Sequence, residues 1–237
     1  MLKRDLAEHI GPCAGLDAGQ QGTGDRELTI LDAGGGQGQL AVALAATGHR
    51  VDLCDISANM LALAAENAKL AGVEERVRLR HSDIHQVCAE NPQGYELILC
   101  HAVLEWVAEP ERLLASLYHA LKPGGHLSLT FYNVNGMIMK NLLRTNFTKV
   151  LTEDYRGYRG SLTPTWPRAA DEVRQWLVDL DLTLECHSGI RCFHDYLLDP
   201  TERLAKPEQQ LALELKLSRR EPFRSLGRYI HLLVRRG

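Results

Sequence analysis

Residues 31–39, Leu-Asp-Ala-Gly-Gly-Gly-Gln-Gly-Gln, constrain the fold of this chain more than any other stretch. A β-rich run from Leu28 to Leu31 ends in an acid, opens into four glycines and leads into an Ala/Leu-rich segment. Glycines concentrated there suit a backbone that turns sharply with positive φ and lets a ligand approach where a Cβ would collide. The stretch reads as strand, nucleotide-binding turn and helix, and the rest of the chain must be organised around it.

Two cofactors fit such a turn, because Gly36-Gln37-Gly38-Gln39-Leu40-Ala41 also matches the G-x-G-x-x-A dinucleotide fingerprint. Asp32 separates them. It lies at the end of the strand, beside the head of the loop, where it would repel a pyrophosphate. S-adenosylmethionine carries an ammonium and a sulfonium in that half of the molecule, so a carboxylate there favours it. Asp55 closes Val51-Asp52-Leu53-Cys54-Asp55 about twenty residues on, the spacing at which the end of a second strand reaches ribose hydroxyls. It suits either cofactor, and its plainer reading is a carboxylate at the helix N-terminus before Ser57.

At 237 residues and a formal charge of −3 the chain is expected to form one α/β domain able to bury a full core. Residues 1–125 hold 10 Lys+Arg against 17 Asp+Glu, and residues 126–237 hold 17 against 13, so the halves carry −7 and +4. A basic second half suits an anionic substrate or an RNA backbone, although asymmetry of this size is also common on solvated surfaces. The six cysteines (Cys13, Cys54, Cys88, Cys100, Cys186 and Cys192) form no CxxC and pair with no histidine spacing, so neither a zinc site nor a disulfide framework is expected. Met1-Leu2-Lys3-Arg4-Asp5 lacks an apolar signal core, and no apolar run reaches the ~18 residues of a membrane span. The expected location is the cytoplasm, with no membrane partner. Oligomeric state leaves no mark in the sequence.

In order along the chain, residues 2–10 form a short helix stopped by Gly11-Pro12, and residues 14–26 are a Gly/Gln/Asp-rich linker expected to be mobile. A helix over 37–47 and a strand over 50–54 follow the first strand. Ser57 then caps a helix over 58–71. Arg76–Arg80 alternates as strand three, and residues 95–100 are a buried strand four. A helix over 109–121 and the tight turn Lys122-Pro123-Gly124-Gly125 lead into strand five, 126–132. This βα alternation implies a parallel, doubly wound sheet. Residues 136–168 break the rhythm with one helix and a Tyr/Arg/Thr/Pro-rich loop. An amphipathic helix over 170–181 follows, then strand six from 182 to 187 with a continuation toward Phe193. A helix over 201–219 and strand seven, 228–234, complete the chain. The expected division is 1–27 as partial helix and mobile linker, 28–135 as the cofactor half, and 136–237 as substrate-side insertion and last strands.

With His101-Ala102-Val103-Leu104-Glu105-Trp106-Val107, Lys122-Pro123-Gly124-Gly125, Phe131-Tyr132-Asn133, Phe193-His194-Asp195-Tyr196 and Leu226-Gly227-Arg228-Tyr229-Ile230-His231 in view, the chain resembles the bacterial tRNA 5-carboxymethoxyuridine carboxyl methyltransferases over roughly residues 5–235. The glycine turns are common to class I methyltransferases at large; the later motifs are more selective. The resemblance implies a Rossmann-like sheet of seven strands with the last antiparallel and an insertion after strand five. It also implies S-adenosylmethionine as methyl donor, and as product the methyl ester of the carboxymethoxy group on a tRNA wobble uridine. It places cofactor contacts on Gly34, Gly35, Asp55, Ile84, His85 and His101. Asp83 is added from general class I logic, as a side chain after strand three that can accept from the adenine amino group. Family members carry a segment ahead of the first helix, with a cofactor-contacting arginine, that this sequence does not show. Some carry a lysine run where this chain has Tyr155-Arg156-Gly157-Tyr158-Arg159.

A carboxylate nucleophile is already ionised at neutral pH and needs no general base. No catalytic residue is therefore expected; the work is orientation and desolvation. The candidates for holding the substrate carboxylate are Arg191, His194, Tyr196 and Arg228, arginine's planar fork being suited to a carboxylate. Without the resemblance, His194-Asp195 reads as a surface turn and Arg228 as a strand-edge charge. His101 is either a satisfied polar residue closing a strand or a ligand contact at the carboxyl end of strand four, where open α/β sheets bind ligands. Glu105 and Trp106 read as structural, packing the entry of a helix. Tyr155, Arg156, Tyr158, Arg159 and Trp166 have the composition that stacks unpaired bases and meets phosphates. A methyltransferase of a small carboxylic acid, a catalytically silent tRNA-binding protein of the same fold, and a dehydrogenase are the alternatives.

Overall fold

The computed structural model describes residues 1–10, 27–155, 163–199 and 201–237. The linker over 14–26, Gly11-Pro12, Cys13 and the loop residues Arg156, Tyr158 and Arg159 lie outside the described residues. In chain order, α1 (Leu2–Ile10) precedes β1 (Thr29–Ala33), α2 (Gln39–Ala46), β2 (Arg50–Asp55), α3 (Ala58–Leu70), β3 (Val77–His81), α4 (Ile84–Glu90), β4 (Tyr95–His101), α5 (Pro110–Ala120) and β5 (Leu121–Tyr132). The second half adds α6 (Val134–Leu143), α7 (Phe147–Leu151), α8 (Ala170–Asp179), β6 (Leu182–Ile190), α9 (Pro207–Leu217) and β7 (Tyr229–Arg236).

The strands form one sheet in the order β3-β2-β1-β4-β5-β7-β6. The first five pair in parallel, and β7 runs antiparallel to both β5 and β6. This is the seven-stranded, doubly wound sheet expected from the sequence. Period-two alternation builds its two apolar layers. Leu97 and Leu99 of β4 join Leu6, Leu44 and Leu61 on one face, while Ile98 and Cys100 join Leu113, Leu117 and Val173 on the other. All five described cysteines are free and buried. No helix among the described residues is long and apolar enough to cross a membrane.

Four local departures from the sequence reading stand out. Helix α4 was not expected: it is only seven residues long and buries only Val87 and Cys88, too little for a periodic signal. Among its described residues the insertion after β5 holds two helices, α6 and α7, rather than one. The last helix starts at Pro207 instead of residue 201, behind a 3-10 turn at Thr201–Arg203. Pro at the first helical position lacks only an N–H that would be unbonded anyway, so it begins α9 instead of lying inside it. The Lys122-Pro123-Gly124-Gly125 turn is absorbed into the start of β5, where the β4–β5 register shifts between Tyr95 and Leu97 and Gly124 takes φ +74°.

The chain moves outward from β1 through β2 and β3, then returns to place β4 on the other side of β1. Connections leave the carboxyl ends of β1 and β4 in opposite directions. That switch point opens the crevice where such sheets take ligands.

Candidate active site

The glycine turn is pinned from below. The amide N–H groups of Gly34 and Gly35 both donate to the Cys54 carbonyl, at 2.9 and 3.2 Å, tying the end of β1 to β2. Gly34 sits at φ +72°, a left-handed conformation that disfavours any side chain. Gly35 is required by contact: a Cβ there would lie 2.6 Å from the Asp32 carboxyl carbon and 2.9 Å from Leu53 Cγ. The turn therefore closes directly over Asp32.

Above it lies a cleft of about 440 Å³ lined by Asp32, the turn glycines, Leu40, Met60 and His101. Asp32 is 4% exposed, and burial raises its carboxyl to about 7, helped by the nearby Asp55 charge and opposed by a hydrogen bond from the Ala41 amide. The sequence reading gave Asp32 a fixed negative charge. The structure corrects this, because burial leaves the carboxyl close to half protonated at neutral pH until a cation completes its ionisation. His101 is driven down to about 3 by burial and so is neutral. Its Nε2 lies 2.8 Å from Ser128 Oγ, while its Nδ1 is buried without a partner among the described residues. A buried acid whose charged form lacks a counterion, a turn that a Cβ would fill and an orphaned imidazole nitrogen together fit S-adenosylmethionine, with its cationic methionyl end toward Asp32 and His101. Leu40 and Met60 were not singled out from sequence; their only sign there was position, Leu40 inside the glycine motif and Met60 five residues after Asp55.

Asp55 takes the plainer of its two readings and leaves room for the other. Its Oδ2 accepts from the Gly36 amide at 3.0 Å and its Oδ1 from the Ser57 amide at 2.8 Å, so it braces the turn and the start of α3. Each oxygen keeps a lone pair for a ribose hydroxyl. Asp83 is the N-cap of α4, accepting from Gln86 N–H at 2.9 Å, with one oxygen uncommitted. Ile84 reaches the turn, its Cδ1 lying 3.9 Å from the position of a Cβ on Gly34. The His85 ring is instead bonded to Ser116 Oγ of α5 at 2.8 Å, leaving its backbone as the part suited to a ligand. The β2–β3 register pairs Asp55 with His81, two residues before Asp83, so these residues follow one another along the carboxyl edge of the sheet.

Further along the same edge, Tyr132 of β5 pairs with Tyr229 of β7, and Tyr229 with Ile190 of β6. The Arg228 guanidinium lies 5.3 Å from the Tyr132 ring and 5.7 Å from the Tyr229 ring, within cation–π range. Arg228 also reaches Asp195 at 3.2 Å, and Arg191 pairs with the other Asp195 oxygen. Burial raises the Asp195 carboxyl, but Arg191 and Arg228 outweigh it and hold the group below its ordinary value. Burial and the charges of Arg228 and Arg144 lower Lys140. Two guanidiniums and an ammonium thus crowd one carboxylate, and Arg228 Nε is buried without a partner among the described residues.

Of the other two carboxylate candidates, Tyr196 bonds to backbone carbonyls, whereas His194 lies in the same cluster, its Nδ1 3.5 Å from Asp195 Oδ1. The Tyr196 hydroxyl donates to the Leu226 carbonyl at 2.5 Å and lies 3.3 Å from that of Gly136. The His194 ring contacts Arg191 Nη2 at 3.3 Å and the Arg203 carbonyl at 3.2 Å, beside a second cavity under α9. Glu214 shapes that turn by accepting the amide protons of Cys192, Phe193 and His194. Glu105 is buried and raised to about 7 by burial, in keeping with a packing role, whereas Trp106 is 45% exposed and does not pack the helix entry as expected. Of the aromatic loop, Tyr155 and Trp166 are described, and Trp166 N–H donates to the Glu105 carbonyl at 2.9 Å.

Comparison with known proteins bears on the fold and the family. Residues 31–129 match the family model described as a methyltransferase domain. Among solved structures, an S-adenosylmethionine dependent methyltransferase from Mesorhizobium loti aligns with a TM-score of 0.58 at 19% identity, covering 89% of this chain and 91% of that one. A SAM-dependent methyltransferase from Methanosarcina mazei aligns with a TM-score of 0.60 at 16% identity, covering 89% and 92%. At these identities they speak for the fold. The tRNA 5-carboxymethoxyuridine methyltransferase of Escherichia coli K12 is 40% identical over 213 residues, which is 90% of this chain and 82% of that protein. With the glycine turn, the buried acid beneath it and the arginine pair further along the same edge, the chain belongs to the tRNA 5-carboxymethoxyuridine methyltransferase family.

Proposed function

We propose that this protein methylates the carboxylate of 5-carboxymethoxyuridine at the wobble position of tRNA, with S-adenosylmethionine as donor. The observation that carries the reading is the pairing, along one sheet edge, of a cleft whose buried acid calls for a cation with a cationic cluster that calls for an anion. Bound S-adenosylmethionine supplies an electrophilic methyl group on a sulfonium. Asp32 and His101 hold the cationic end, and Asp55 receives the ribose. Arg228 and Arg191, already sharing Asp195, take the incoming carboxylate as a second anion, and the Tyr132 and Tyr229 rings keep water from it. No residue has to remove a proton, because the nucleophile arrives ionised. Positioning of this kind contributes up to about 7–11 kcal/mol to lowering a barrier. Such a substrate places the protein in the cytoplasm, where tRNA is modified.

The test uses tRNA from cells lacking this protein. Incubation with the purified chain and S-adenosylmethionine, followed by nucleoside mass spectrometry, should convert carboxymethoxyuridine to a methyl ester that mild base removes, with no product on unmodified tRNA. Turnover of free small acids without RNA would redirect the reading to a small-molecule methyltransferase. Retained tRNA affinity without S-adenosylmethionine binding would identify a silent RNA-binding protein.

A further inference from the structure

A line of buried polar groups joins His101 to the amino-terminal helix. His101 Nε2 lies 2.8 Å from Ser128 Oγ on β5, and the same Oγ lies 2.9 Å from His231 Nε2 on β7. His231 Nδ1 in turn lies 2.9 Å from Asp5 Oδ2 on α1. Ser128, His231 and Asp5 are each 0% exposed. The other Asp5 oxygen accepts from Arg4 Nη2 at 2.9 Å and Arg219 Nη2 at 2.6 Å.

The proton positions in this line are fixed by counting donors. Burial raises the Asp5 carboxyl, but His231 and the Arg4 and Arg219 guanidiniums outweigh it and keep the group ionised. An ionised carboxylate has no proton to give, so His231 Nδ1 carries the proton between them. Burial holds His231 below its ordinary value, so the ring is neutral and its Nε2 is a bare acceptor. The single hydroxyl proton of Ser128 then goes to His231. Its oxygen is left to accept, and the proton it accepts is on His101 Nε2.

We propose that Asp5, His231 and Ser128 are positioning residues that hold His101 in its Nε2–H tautomer, leaving Nδ1 as a bare acceptor for the ammonium group of the methyl donor. The opposite tautomer would turn an N–H toward a cation. Nδ1 is buried and unpartnered, and His101 stands two residues past Leu99, the partner of Asp32 in the β1–β4 register. An ammonium has three protons to donate, enough for both the Asp32 carboxylate and this nitrogen. The proposal rests on reading the cleft as the S-adenosylmethionine site, but the tautomer itself can be measured without ligand.

The experiment labels the ring nitrogens of histidine with ¹⁵N in the full chain and assigns His101 by the signals lost in His101→Asn. The ligand-free protein at neutral pH should show Nε2 protonated and Nδ1 bare, and Ser128→Ala should shift His101 toward the Nδ1–H form. By calorimetry, Ser128→Ala should weaken S-adenosylhomocysteine, which carries the ammonium, by about tenfold. It should leave 5′-methylthioadenosine, which lacks that group, unchanged, and Ser128→Thr should restore both readouts. An Nδ1–H form in the unmodified protein, an unaltered tautomer in Ser128→Ala, or equal loss of both ligands would overturn the relay. If neither ligand bound the unmodified protein, the cofactor reading would fail, while the tautomer result would still decide the relay.

Discussion

Replacing Asp32 with Asn should stabilise the ligand-free protein while weakening donor binding. The folded protein holds the Asp32 proton up to about pH 7, against an ordinary value of 3.8. Between these values the native state binds more protons than the unfolded chain, so unfolding free energy falls as pH rises through that window and levels off above it. A shift of roughly three pH units corresponds to about 4 kcal/mol at 1.36 kcal/mol per unit, an upper bound on what Asp32 costs above pH 7. Asn keeps an oxygen for the Ala41 amide and carries no charge to desolvate. Urea denaturation followed by circular dichroism at pH 4.5, 6 and 8 should show a gap in favour of Asp32→Asn that is smallest at the lowest pH, about 1 kcal/mol, and opens with each step, with unchanged m-values. Titrations shared by the two proteins cancel in that difference. Donor affinity should move oppositely. The variant should lose roughly tenfold or more at pH 8, and less at pH 6, where the unmodified protein must first release the proton. A stability gap that stays flat across this range, or an unmodified protein that is the more stable at pH 8, would refute the account of a carboxyl waiting for its cation.

Three further outcomes test the site. Gly35→Ala puts a methyl group on the Asp32 carboxyl and Leu53; it should cost about 1–3 kcal/mol in a thermal melt and abolish donor binding measured by calorimetry. Arg228→Ala should raise KM for modified tRNA at least tenfold and leave the dissociation constant for S-adenosylmethionine within about twofold, since its contacts lie with Asp195, Tyr132 and Tyr229. Tyr196→Phe removes a hydroxyl bonded to the Leu226 carbonyl; steady-state kinetics should show kcat and KM little changed, with a stability loss of about 1 kcal/mol in urea. A large fall in kcat would instead return Tyr196 to the substrate site.

The glycine turn, the period-two strands and the Ala/Leu-rich helices were legible in the sequence because each is a local pattern: backbone freedom, alternating burial and capping are set by residues a few positions apart. Those patterns, with the family motifs, were enough for the sheet, the cofactor and the turn glycines. Helix α4 and the start of α9 escaped because the first is too short to be periodic and the second depends on how a single proline is used.

Only the tertiary structure decided the protonation of Asp32, which follows from its burial beneath the glycine turn. Only the structure gathered Arg191, Arg228 and His194 around Asp195 and put the Tyr196 hydroxyl on a backbone carbonyl. The bond between Asp5 and His231 spans 226 residues. No local pattern encodes such a pairing, because it exists only once the sheet has brought both ends of the chain to the same buried place.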